Sequence, residues 1–198
     1  GQRMIVSVED YREWRQKYDL ETQTTAESLA HLLQVLSDDR INLAFVAEFS
    51  RGKTELINAL FFAQTGVRLL PSSPGRTTMC PTELFYDPGE GSYIRLLDIE
   101  SRYESTPFFE LKKDTKRWKH IDLDQNDPKQ MQAAFQELVA VKNVPKDKAV
   151  ELGLFNEQEA AEQGIKNPES VEIPCWRHAL ISFPHPLLQA GLGILDTP

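Results

Sequence analysis

The stretch from Ile41 to Gly66 constrains the fold more than any other part of this chain. It opens with INLAFVA, an apolar run with no period of two, which suits a strand buried on both faces of a mostly parallel sheet. AEFSRGKT follows. Gly52 to Thr65 then reads as a helix, with Leu56, Ile57, Leu60 and Phe61 on its inner side and Gly66 where a left-handed C-cap is wanted. Strand, loop and helix in that order is the setting in which the pattern GxxxxGK[ST] cradles phosphates. Ala47 stands where that pattern has its first glycine.

The chemistry of the loop follows from its residues. Backbone amides around Ser50 to Thr54 form a nest for an anion. The helix that starts there adds the equivalent of roughly half a positive charge at its N-terminus. Gly52 lets the backbone approach phosphate without a Cβ in the way. Lys53 supplies a point charge to the β- and γ-phosphates, and Thr54 offers a hydroxyl to Mg²⁺. Ala47, Ser50, Arg51, Gly52, Lys53, Thr54 and Glu55 are therefore the expected cofactor-binding stretch. At Ala47 a positive φ would cost about 1 kcal/mol against glycine, and a negative φ almost nothing. The competing reading is a plain strand-to-helix turn with a surface lysine; the buried strand and the capped helix on either side weigh against it.

Elsewhere, Ser7 to Asp38 reads as helical, with Ser7 and Asp10 as a capping box, a break near Leu20 to Thr25, and Leu29, Leu32, Leu33 and Leu36 on one face. Pro81 to Tyr86 and Ser92 to Leu97 alternate around DPGEG and read as a hairpin. Lys112 to Pro174 is polar, with helical pieces near Pro128 to Val141 and Asn156 to Gln163, and looks like an insertion rather than core. His178 to Phe183 and Gly191 to Leu195 are again strand-like. The expected fold class is α/β: a P-loop NTPase fold whose mixed, mainly parallel sheet is flanked by helices. An N-terminal helical segment (1–40) precedes it, and residues 41–198 form the N-terminal portion of the nucleotide domain, with a polar insertion at about 99–174. A doubly wound domain has five or six strands, so the sheet is expected to be truncated after the strand ending in Asp196-Thr197-Pro198, leaving the first strand with an unpaired apolar edge.

Charge and composition narrow the function. The formal net charge is −8, and binding a nucleic acid needs a basic footprint, so no nucleic acid is expected as a partner. Lys112, Lys113, Lys116, Arg117 and Lys119 form one short basic cluster, readable as a solvated loop or as a contact with anionic lipid or a partner. No apolar run approaches the roughly 20 residues that span a bilayer, and no signal-peptide core is present. A cytoplasmic setting with two free thiols, Cys80 and Cys175, is expected.

VAEFSRGKTELINAL resembles the phosphate loop of dynamin-like GTPases, especially the bacterial and mitofusin-related branch. LLPSSPGRTTMCPTEL is similar to the family's switch I, and HALISFPHPLLQAGLGILDTP to the hairpin that carries its Asp-Thr-Pro-Gly strand. The resemblance implies GTP/GDP and Mg²⁺ as cofactors. Ser50, Lys53 and Thr78 are the implied catalytic residues, with Thr77 as the alternative to Thr78; the implied metal set is Thr54, Thr78 and Asp196. Arg51 and Arg76 are the cations that could meet charge on the γ-phosphoryl group. It also implies GTP hydrolysis in the intact protein, self-association through the GTPase domain, and membrane remodelling with peripheral membrane contact. The fragment alone is expected to turn over little. The family's guanine-reading motif falls beyond residue 198, so an ATP-using relative, or a nucleotide-dependent scaffold with little turnover, is the alternative.

Overall fold

The computed structural model describes residues 2–18, 20, 22, 25–26, 28–29, 32–33, 41–45, 52–63, 69–70, 80–156 and 168–197. The chain divides into two compact units, Gly1–Ile41 and Asn42–Pro198.

The first unit opens with helix α1 (Gln2–Lys17). Ser7 lies inside it, so the expected capping box at Ser7 and Asp10 does not start the helix. Arg15 instead closes its end, donating to the Tyr11 hydroxyl at 3.0 Å and to the Leu20 carbonyl. The break expected near Leu20 is there, and the true cap follows it. Thr22 N–H donates to Thr25 Oγ1 at 2.9 Å while Thr25 N–H donates back to Thr22 Oγ1 at 3.3 Å, and of the described residues that follow, Leu29, Leu32 and Leu33 are helical. Leu29 and Leu33 are half-buried there and Leu32 is exposed; Leu36 lies outside the described residues.

In the second unit the strands are β1 (Ile41–Phe45), β2 (Thr82–Phe85), β3 (Tyr93–Asp98), β4 (Trp118–Asp122), β5 (Val141–Pro145), β6 (Ser170–Pro174), β7 (Trp176–Ser182) and β8 (Leu192–Asp196). The helices are α2 (Lys53–Phe61), α3 (Phe108–Lys113), α4 (Pro128–Gln136), α5 (Lys146–Glu151) and the short α6 (Pro186–Gln189). Six strands form one mixed sheet in the order β1-β8-β2-β7-β3-β4, and β5 and β6 form a separate antiparallel pair. β2 runs parallel to β7; the β2–β8, β3–β7 and β3–β4 pairs are antiparallel.

This order corrects the expected hairpin. The turn does form, with an isolated bridge between Asp87 and Gly91, but β7 lies between β2 and β3. The long-range partner wins because β7 is buried on both faces. Ala179 and Ile181 enter the main core, whereas Leu180 joins Leu97, Leu111 and Trp118 on the other side.

The main core lies between the sheet and two helices, α2 and α4. Ile57, Phe61 and Phe62 meet Leu84, Ile94, Leu96, Ala179, Ile181 and Ile194, and α4 adds Met131, Ala134 and Phe135. Phe62 packs edge-on against both Phe135 and Phe183, with centroids 5.5 and 5.1 Å apart. The stretch read as a polar insertion therefore contributes core: β4 extends the sheet and α4 covers it. Its pattern was hidden by short elements with charged outer faces. Asp127 caps α4 by accepting from the amides of Lys129 and Gln130, with Pro128 in the first turn. The part that does stand apart is the β5–β6 pair with α5, built on a small cluster of Val144, Ala149, Leu152 and Ile173 around Ile99.

Two further expectations change. The inner face of α2 is Thr54, Ile57, Asn58 and Phe61, and Leu56 and Leu60 are exposed. β1 is not buried on both faces: it lies at the end of the sheet, with Ile41 70% and Leu43 47% exposed. That is the apolar edge expected of the first strand. Within the basic cluster Lys112 pairs with Glu83, Arg117 with Glu104 and Lys119 with Glu137 at the surface.

Candidate functional site

The site is built where α2 begins beside the end of β8. Gly52 caps α2 at φ 85° and ψ 15°, and its carbonyl accepts the first helical bond from Leu56 N–H at 2.9 Å. A Cβ built there would meet nothing within 4 Å, so the need for glycine is the left-handed backbone rather than crowding. The turn then aims Lys53 and Thr54 at β8. Thr54 Oγ1 donates to Asp196 Oδ2 at 3.4 Å, and Lys53 Nζ donates to the Thr197 carbonyl at 2.5 Å. Thr54 is 3% and Asp196 2% exposed, although 142 positions separate them. Lys53 is half-buried, as is Glu55 in the same first turn.

β8 is held in place by β2. Asp196 lies opposite Thr82, whose hydroxyl donates to the Cys80 carbonyl at 3.2 Å. An amino-terminal helix end, a lysine, a hydroxyl and one carboxylate thus converge at one corner of the sheet. Such a donor set is all oxygen on the metal side and suits a hard cation such as Mg²⁺. The single carboxylate agrees with the finding that, among the described residues, no cluster of three or more His, Cys, Asp or Glu side chains could hold a metal.

Of the residues proposed from the sequence, the structure brings together Gly52, Lys53, Thr54 and Asp196, with Glu55 beside them. Ala47, Ser50, Arg51, Arg76, Thr77 and Thr78 lie outside the described residues. One residue was missed. Asn58, 6% exposed, sits one turn after Thr54 on the same face of α2. Its Nδ2 donates to Leu70 O at 2.8 Å, and Leu70 N–H donates to its Oδ1 at 2.9 Å. The signal was a lone amide among the apolar residues of INAL.

Taken together, the Gly-Lys-Thr turn between a sheet strand and a helix, with an aspartate from a neighbouring strand against the threonine, defines a P-loop nucleotide-binding fold. Comparison with known sequences is specific: the family model described as the Dynamin family matches residues 43–198. The chain belongs to the dynamin family. No curated protein matches it. Two solved structures, both described as an oligomerised bacterial dynamin pair that provides a mechanism for the long-range sensing and tethering of membranes, resemble it. The first has a TM-score of 0.40 at 15% identity and the second 0.37 at 17%; each comparison covers 100% of this chain. The chain spans 26% and 24% of those two chains.

Proposed function

We propose that the protein binds and hydrolyses GTP at this corner of the sheet, in a cycle that drives self-association of the GTPase domain at a membrane surface. The observation that carries the nucleotide reading is the meeting of buried Thr54 and Asp196, with Lys53 Nζ on the adjoining Thr197 carbonyl. A buried hydroxyl–carboxylate pair beside a lysine, at the mouth of a helix, is what a triphosphate tail and its metal require. Family membership supports the choice of guanine, the self-association and the peripheral membrane setting. Among the described residues no helix is long and apolar enough to cross a membrane.

The roles divide as follows. Lys53 binds the β- and γ-phosphates, and the main-chain amides at the start of α2 orient them. Thr54 and Asp196, with Thr78, would hold Mg²⁺, which when bound offsets the charge that develops on the distal phosphates. By the family resemblance, Thr78 would also position the attacking water and Ser50 would serve the oxygen between the β- and γ-phosphates.

The test uses the full-length protein. Lys53→Ala is expected to abolish binding of a non-hydrolysable GTP analogue in a calorimetric titration, while Thr78→Ala keeps binding and loses turnover. Unchanged affinity in Lys53→Ala removes the nucleotide reading, and normal turnover in Thr78→Ala removes the assignment of Thr78. Displacement of the analogue by ATP but not by GTP would transfer the site to adenine nucleotides.

A further inference from the structure

We propose that Arg102 and Arg177 form a binding site for a phosphomonoester beside helix α3. The site is separate from the nucleotide corner and does not rest on the function proposed for it.

Arg177 lies near the start of β7, where the ladder with β3 is irregular: His178 is opposite Leu97, but Trp176 is opposite Asp98. The extra residue falls outside the regular pairing. Its Nη1 donates to the Ser101 carbonyl at 2.7 Å, and its guanidinium carbon lies 5.8 Å from the centre of the Phe108 ring on α3. Arg102 is the residue after that carbonyl. Its own Nη1 donates to the Leu152 carbonyl, at the end of α5, at 3.0 Å. Each arginine thus uses one N–H on a main-chain oxygen. This holds both forks against the 3-10 turn Ile99–Tyr103. A guanidinium has five N–H donors. Among the described residues, neither side chain has a carboxylate within ion-pair distance.

The acids beside them are already engaged. Glu104 accepts from Arg117 Nη1 and Nη2 at 2.6 and 2.7 Å, and Glu100 accepts from Lys148 at 2.6 Å. The guanidinium groups of Arg102, Arg117 and Arg177 therefore share the one carboxylate of Glu104. Burial, and after it the charge of Arg102, pulls the half-buried Arg177 guanidinium below its ordinary value, with Glu104 opposing. Like charges held together where water is partly excluded cost free energy unless an anion joins them. Three positive charges less one negative leave an excess of two. A phosphomonoester carries about −2 near neutral pH and offers three acceptor oxygens to planar donor forks. A single carboxylate would offset only half of the excess. The whole chain carries −8, so the excess is local and does not follow from composition.

By register, Asp196 lies opposite Thr82 and Thr82 opposite Ala179, so the arginine pair is at the same end of the sheet as the nucleotide corner, two strands along. The titrations therefore use full-length protein carrying Lys53→Ala, which removes that corner's lysine. Inorganic phosphate is titrated by calorimetry at constant ionic strength, with acetate as the competing anion. Cosedimentation is measured with vesicles of phosphatidylcholine, with and without phosphatidic acid, whose headgroup is a phosphomonoester. Binding is expected to weaken about tenfold in Arg102→Gln and in Arg177→Gln, and about threefold in Arg177→Lys, which keeps the charge but not the fork. Lys116→Gln removes an equal charge from the nearby basic stretch and should stay within about twofold. Thermal melting checks that each variant is folded; should Arg177→Gln fail to fold, the exposed Arg102 carries the test. Arginine-dependent cosedimentation with phosphatidic acid supports the site with a lipid source, and arginine-dependent binding of inorganic phosphate alone supports it with a soluble one. The inference is overturned by no arginine-dependent binding of either probe, by a loss in Lys116→Gln equal to that in the arginine variants, or by acetate competing as well as phosphate. None of these outcomes bears on GTP binding by the unmutated protein.

Discussion

Replacing Glu83 by glutamine tests whether the face of the sheet away from the main core is held by a charge. Glu83 lies on β2 beneath α3. His178 Nε2–H donates to its Oε1 at 3.0 Å, and Lys112 Nζ from α3 reaches its Oε2 at 2.6 Å. Burial by itself would raise this carboxyl, but the His178 hydrogen bond and the Lys112 ammonium outweigh it and bring it from 4.5 down to about 2. At about 1.4 kcal/mol per pH unit, the ionised form is favoured in the folded protein by roughly 3 kcal/mol. Because the Lys112 side chain is 37% exposed, solvent screening should lower the realised value to about 2 kcal/mol. The folded carboxyl titrates below the unfolded one. Its contribution is therefore complete above about pH 4.5 and is lost as pH falls toward about 2. Urea unfolding of wild type and Glu83→Gln should differ by about 2 kcal/mol at pH 7, and by less than half of that at pH 3. A difference that stays constant between pH 7 and pH 3, or wild-type stability in the variant at pH 7, would refute the assignment.

Two other outcomes follow from the packing. Phe135 is fully buried and packs edge-on against Phe62, so Phe135→Ala should cost about 3–5 kcal/mol in chemical unfolding; a loss under about 1 kcal/mol would return α4 to the status of an appendage. Burial pushes the Cys80 thiol up to about 12, despite the hydrogen bond from Thr82, and Cys175 is less enclosed. Burial raises the Cys175 thiol as well, so a thiol reagent at pH 8 should label Cys175 slowly but before denaturation, and Cys80 only after it; equal labelling of both in the folded protein contradicts the buried placement.

Local sequence determined the chemistry of the corner but not its walls. The apolar run at Ile41, the Gly-Lys-Thr turn and the helix after it were legible because each depends on neighbours in the chain: glycine for a left-handed cap, a helix start for free amides, a short unbroken apolar run for a strand. Asp196 was legible only through the resemblance, since nothing near Leu195 announces a partner at Thr54. The face of α2 was misjudged for a physical reason. Leu56, Ile57, Leu60 and Phe61 form two adjacent stripes of nearly equal hydrophobicity, and either could face a sheet. What chose between them is distant: Thr54 has to meet Asp196, and Asn58 has to meet Leu70. Strand order was decided in the same way. The Asp87–Gly91 turn is compatible with a hairpin, but a strand buried on both faces gains more by entering between β2 and β3 than those two gain by pairing. Periodicity reports which residues want to be buried; only the assembled sheet settles against what.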